Sequence, residues 1–124
     1  MLIYLVDDDQ EDQEIFDMAL AESGVDANLV CFNSATAAIE NLRDISSHPN
    51  YIFLDLNMPK INGLECLQIL AKDSFTTKSR VVIYSTSSNE RDIHETKALG
   101  AYQYLIKPVS FTSLVDSIRS IIEA

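Results

Sequence analysis

Aspartates gather at two places in this chain, and each time they end an apolar run. Asp7, Asp8 and Asp9 follow the apolar part of "LIYLV", and Asp55 closes "YIFL". Ser85 and Thr86 follow "VVIY" in the same way, and Lys107 with Pro108 follows "YQYLI". A carboxylate beside a buried segment is costly unless something neutralises it or uses it. Two or three carboxylates drawn together repel one another and call for a cation. The ligands would all be oxygens, which suits Mg²⁺ or Mn²⁺ and not a soft metal. Magnesium usually keeps several waters, so phosphate oxygens would find room. A divalent ion, the Lys107 amine and the Ser85 hydroxyl together make a phosphoryl-binding set. No separate nucleophile accompanies them, so one carboxylate is the candidate acceptor. Asp55 stands alone, whereas Asp7 and Asp8 are paired and suit a metal. Asp55 is therefore the candidate phosphate acceptor.

Each residue has a plainer reading when taken singly. Asp55 would be a turn or cap, Asp7 to Asp9 a solvated turn and N-cap, and Ser85 a strand-end hydroxyl. Lys107 would be a surface lysine, and Tyr104 a half-buried strand aromatic. His48 and His94 receive no role. What outweighs these readings is one condition: that the ends of four runs meet.

The surrounding pattern supplies that condition. Five short apolar runs begin at Leu2, Ala27, Tyr51, Val81 and Tyr102, and most are nearly continuous rather than alternating. Continuous runs belong to parallel strands covered on both faces. Helical patterns lie between them: Glu14 to Leu20, a stretch opening at Ser34, "NGLECLQIL", "SSNERDIHETKAL" and "SFTSLVDSIRSII". Asn62 with Glu65, and Ser87 with Glu90, have capping-box spacing. Gly24 and Gly100 are expected C-terminal stops. The alternation predicts an α/β fold around a parallel sheet, as one domain over 1–124. Ligands of such sheets bind outside the carboxyl ends of the strands. Asp7, Asp8, Asp55, Ser85 and Lys107 should thus converge in one cleft.

Composition narrows the classes. The 124 residues carry a net charge of -10, with 47% hydrophobic and 23% charged residues. Such acidity argues against nucleic-acid and anionic-membrane partners, which need clustered Lys and Arg. No run approaches a membrane span, and "MLIYLVDDD" lacks the basic start of a signal peptide. Cys31 and Cys66 sit in apolar patterns and are expected in the core, which fits the cytoplasm. An aspartate-nucleophile phosphatase would want a second Asp where Asn57 stands. Three aspartates after the first strand would repel a flavin phosphate. A P-loop is absent, and Asp12 occupies the place of the turn glycine if Asp7 opened an EF-hand loop.

The motifs "LVDDD", "LDLNMPKINGLE", "VVIYSTS" and "LGAYQYLIKP" come in order, with 30 positions from Asp55 to Ser85 and 22 from Ser85 to Lys107. Over nearly its whole length the chain resembles the receiver domain of bacterial two-component response regulators. The resemblance implies a doubly wound (βα)5 three-layer sandwich of flavodoxin-like type, with strand order 2-1-3-4-5, as in the chemotaxis regulator. It implies Asp55 as the phosphorylated residue, and Asp8 with its neighbour Asp7 as magnesium-contacting acids. By the same resemblance the Asn57 backbone carbonyl completes the metal site. Ser85 matches the switch hydroxyl, Tyr104 the switch aromatic and Lys107 the phosphate-pairing lysine. Pro108 matches a proline that usually follows through a cis peptide. Pro59 and Gly63 match the loop that shapes the acceptor site. Two positions depart from relatives: Leu56 follows the acceptor where some carry an aromatic, and Tyr102-Gln103 stands where many DNA-binding relatives carry an acidic pair.

The implied function is a phosphoacceptor signalling module rather than an enzyme. It would be fed by a histidine kinase or phosphotransfer protein and would have no effector domain. Some stand-alone receivers work with phytochrome-type kinases. The implied output surface comprises the fourth predicted helix, the fifth strand and the last helix. The alternative is a non-phosphorylated pseudo-receiver used as a protein-interaction module.

Overall fold

A computed structural model describes residues 1–44 and 48–123. Five strands form one parallel sheet: β1 (Leu2–Val6), β2 (Asn28–Phe32), β3 (Tyr51–Leu54), β4 (Arg80–Ser85) and β5 (Gln103–Ile106). Their order is β2-β1-β3-β4-β5, as the resemblance implies. The register pairs Val6 with Leu54 and Leu54 with Ile83, so the carboxyl ends of the central strands stand level.

In the three central strands successive side chains point to opposite faces, and both faces are covered. Tyr4, Val6, Ile52, Leu54, Val81 and Ile83 pack under α2 (Ala35–Asp44) and α3 (Gly63–Lys72). Ile3, Leu5, Tyr51, Phe53, Val82 and Tyr84 pack under α1 (Gln10–Ser23) and α6 (Phe111–Glu123). A short helix, α4 (Phe75–Lys78), precedes β4, and α5 (Glu90–Ala98) precedes β5. The sequence does not announce α4. It is a single turn, its one buried side chain is Phe75, and no side-chain hydrogen bond caps its start. The fourth and fifth predicted helices are therefore α5 and α6.

Local chemistry fixes the helix starts. The Asp9 carboxylate accepts hydrogen bonds from the Glu11 and Asp12 amides, at 2.9 and 3.2 Å, and begins α1 four residues before the expected Glu14. Asn62 and Glu65 form the expected capping box. Ser34 and Ser110 accept from the Ala37 and Ser113 amides. Ser87 does not cap α5. Asn89 lies next to the first helical residue and accepts from the Arg91 amide at 2.8 Å, while the Ser87 hydroxyl donates to Asp92. Gly24 and Gly100 adopt φ of +79° and +104° after α1 and α5, the left-handed stops expected of them.

Two expectations need correction. Cys66 is buried, and burial pushes its thiol up to about 12, but Cys31 is exposed. It lies on β2, an edge strand whose side chains are at most half-buried. The Lys107–Pro108 bond is trans, since the described residues include no cis peptide. Trans is the intrinsic preference of an X-Pro bond.

Gly63 ties the fold to the site. A Cβ there would collide with the Asp55 carbonyl oxygen and the Leu56 Cα, both backbone atoms of the loop after β3. The Gly63 amide donates to the Leu56 carbonyl at 3.0 Å across this contact. Gly63→Ala is expected to destabilise the protein by about 1–3 kcal/mol through overpacking. Urea unfolding measures it, and a change within about 0.5 kcal/mol, the range of ordinary surface substitutions, would contradict the packing.

Candidate functional site

The ladder continues one residue past the strands and sets the site. The Asp7 amide donates to the Phe32 carbonyl at 3.1 Å, Asp55 to Val6 at 3.0 Å, and Lys107 to Ser85 at 2.7 Å. Asp7 and Asp55 are thereby held side by side at the carboxyl edge of the sheet, with Lys107 on the same edge one strand beyond β4. Asp7 is 0% and Asp55 5% exposed, whereas Asp8 is exposed. Carboxylate oxygens of Asp7, Asp8 and Asp55 all lie within 4.8 Å of one another.

Lys107 is the counter-charge. Its Nζ lies 2.7 Å from Asp12 Oδ2, 3.1 Å from Asp7 Oδ2 and 3.6 Å from Asp55 Oδ2. The ammonium also sits 5.0 Å from the centre of the Tyr84 ring. Burial works against its charge, but the carboxylates of Asp12, Asp55 and Asp7 outweigh that and raise its pKa.

One cation does not satisfy these acids. Burial pushes the Asp55 carboxyl up to about 6; the Asn57 amide and Lys107 pull it down, while Asp7 and Asp8 push it further up. Burial also raises Asp7, against the Asp9 amide and Lys107, which lower it. Two buried carboxyls that resist ionisation, beside an exposed third, make a hard oxygen donor set with negative charge to spare. That donor set fits Mg²⁺ or Mn²⁺.

Asp55 Oδ1 accepts from the Asn57 amide at 3.1 Å. Ser85 is fully buried, and its oxygen accepts from the Ser87 amide at 3.2 Å. Tyr104 is half-buried and donates its hydroxyl to the Ser87 carbonyl at 2.8 Å. Asp7, Asp8, Asp55 and Lys107 are thus brought together. Ser85 ends the strand beside Asp55, Asn57 is tied to Asp55, and Tyr104 is tied to the loop after Ser85.

Sequence reasoning missed two residues. Asp12, in the first turn of α1, is the nearest partner of Lys107. Gln13 is buried and donates to the Asp7 carbonyl at 2.6 Å and to Asn33 Oδ1 at 3.0 Å, bracing the β1 end. Asp9 as N-cap is the signal that could have found Asp12, since it fixes which turn of α1 faces the strand ends.

The sheet order and this acid-lysine arrangement define a receiver. A family model described as response regulator receiver domain matches residues 3–119, and the chain belongs to that family. It is 30% identical to response regulator Rcp1 of Synechocystis sp. over 97% of this chain and 85% of that protein. Among solved structures it is similar to the phosphorylated cyanobacterial phytochrome response regulator RcpA, at 33% identity and a TM-score of 0.87, covering 98% of this chain and 91% of that one. It is also similar to the Mn²⁺-bound form of Rcp1, at 30% identity and a TM-score of 0.83, covering 97% and 90%.

Because the folded Asp55 pKa of about 6 lies above its ordinary 3.8, the contribution of Asp55 to metal-free stability is greatest below about 4 and is lost as pH rises through 6. Raised Asp7 acts in the same direction. Urea unfolding without divalent ions should show the parent weakening over this window, by roughly 1–3 kcal/mol. Asp55→Asn should weaken less there and exceed the parent at pH 7. A mutant no more stable than the parent at pH 7 would contradict the electrostatics.

Proposed function

We propose that Asp55 accepts a phosphoryl group from a histidine kinase or histidine phosphotransfer protein, and that this switches the surface formed by α5, β5 and α6. The observation that carries the reading is the buried Asp55 carboxylate, under-neutralised beside Asp7, Asp8 and Lys107. Asp55 Oδ1 is engaged by the Asn57 amide, which leaves Oδ2, on the Lys107 side, as the attacking atom. The Oδ2–P bond forms as the donor's N–P bond breaks, and the imidazole leaves with the electron pair. In hydrolysis, a separate step, water attacks phosphorus and gives up a proton, the Asp55 O–P bond breaks with its electron pair returning to the carboxylate, and inorganic phosphate departs. Asp7, Asp8, Asp55 and the Asn57 carbonyl would hold Mg²⁺ or Mn²⁺, which supplies positive charge opposite the phosphoryl oxygens when bound. Lys107 and the Ser85 hydroxyl pair with those oxygens.

The switch follows from the same contacts. Among the described residues the Ser85 hydroxyl only accepts, so its hydrogen can donate to a phosphoryl oxygen if Ser85 moves toward Asp55. Ser87 is bonded to Ser85 and must follow, which loosens the Tyr104 hydroxyl from the Ser87 carbonyl. The ring can then turn inward and gain burial, so phosphate favours one of two packings. A downstream protein reads the change.

The chain acts as a cytoplasmic regulatory phosphoacceptor, not as an enzyme on external substrates and not on nucleic acid or membranes. Among the described residues no helix is long and apolar enough to cross a membrane. Similarity to phytochrome response regulators makes a phytochrome-type kinase the first donor to test. The pseudo-receiver reading gains nothing from this site, because a binding module has no need of a clustered acid set with a lysine.

Two outcomes test the proposal. With acetyl phosphate and Mg²⁺ the parent should be labelled and Asp55→Asn should not; undiminished labelling of the mutant would overturn the assignment. Ser85→Ala should still accept phosphate yet show a reduced amide-shift response to beryllofluoride between Ser88 and Ser110. A full parental response there would sink the hydroxyl coupling.

A further inference from the structure

Asp12 has no part in the acceptor chemistry above, yet it makes the shortest contact to the lysine that chemistry needs. Its carboxylate lies 2.7 Å from Lys107 Nζ, against 3.6 Å for Asp55. It is also set in place: its amide donates to the Asp9 cap at 3.2 Å, in the first turn of α1. The Lys107 side chain is only 12% exposed and is flanked by Tyr84, so its ammonium cannot swing freely. It must be shared among Asp7, Asp12 and whatever stands on Asp55.

We infer that Asp12 is a positioning residue that competes with the phosphoryl group on Asp55 for Lys107. This rests on the reading of Asp55 as acceptor. Of the lysine's two close partners, Asp7 belongs to the metal-holding set and Asp12 does not. Asp12 therefore remains a competitor when that set is engaged by a cation. Its carboxylate is also the least enclosed of the three, at 33% exposed against 0% and 7%, so water can replace the lysine when Lys107 leaves. The departure costs Asp12 less than it would cost a buried acid. Asp12 thus holds the amine loosely aside, and its strength as a partner sets how firmly the phosphorylated form is held. An ion pair weakened on one side frees the lysine for the other, so affinity for a phosphoryl mimic must rise when Asp12 loses its charge.

Beryllofluoride binding with Mg²⁺, followed by amide shifts, tests this in the whole chain. Asp12→Asn should bind roughly fivefold tighter or more than the parent. Asp12→Glu should return toward the parent. Glu11→Gln removes the same charge from the same helical turn and should change affinity less than about twofold. The gain from Asp12→Asn should vanish in a Lys107→Met background. In the metal-free protein, Asp12→Asn should move the ¹⁵N resonance of the Lys107 ammonium more than Asp55→Asn does. Unchanged or weaker binding by Asp12→Asn overturns the inference, because Asp12 would then be a bystander or a support. A gain that survives Lys107→Met, an equal gain from Glu11→Gln, or the reverse order of ammonium shifts overturns it too. Failure of the acceptor reading looks different: the parent itself fails to bind, or Asp55→Asn binds as well as the parent, and the inference falls with it.

Discussion

Two carboxylates, Asp7 and Asp55, are buried just past the ends of neighbouring strands, with the Lys107 ammonium shared between them. That imbalance is the constraint on which the rest of the structure depends. A fully neutralised pair would be a quiet structural feature. Here burial raises both acids, Asp8 adds charge from the rim, and Asp12 draws the lysine aside. The site is thus poised to take a cation and, with it, phosphoryl oxygens.

The fold exists to hold that imbalance still. Parallel strands bring their carboxyl ends level, so residues remote in sequence become neighbours without any loop having to carry them. Gly63 lets α3 press directly on the Asp55 backbone, and Gln13 braces the backbone of Asp7 from α1. The proposed switch lies on the other flank. Ser85, Ser87 and Tyr104 form a chain of hydrogen bonds from the strand end to β5, whose side chains are at most half-buried. Buried acids and a less buried hydroxyl-aromatic relay suit a domain that must accept a group and report it.

Much of this was legible in the sequence, for identifiable reasons. Continuous apolar runs in β1, β3 and β4 reflect burial on both faces, and Asp7, Asp55 and Ser85 stand out because they end those runs. Asn62 and Glu65 announced their cap by spacing. The rest depended on contacts no local pattern encodes. Cys31 looked like core because apolar neighbours cannot show that β2 lies at an edge. Ser87 lost the α5 cap to Asn89, since both types can cap and only the backbone path decides. In the sequence Asp12 does no more than exclude an EF-hand loop, because its lysine partner lies 95 positions away.

The central claim, that the strand-end acids are under-neutralised and hold a divalent cation, is tested most directly by linkage. Unfolding free energy of the parent should be measured against Mg²⁺ concentration at pH 7 and constant ionic strength. Above the dissociation constant it should rise by about 1.4 kcal/mol per tenfold increase in Mg²⁺, the slope of one ion bound to the folded state alone. Stability indifferent to Mg²⁺ at pH 7 would contradict the account.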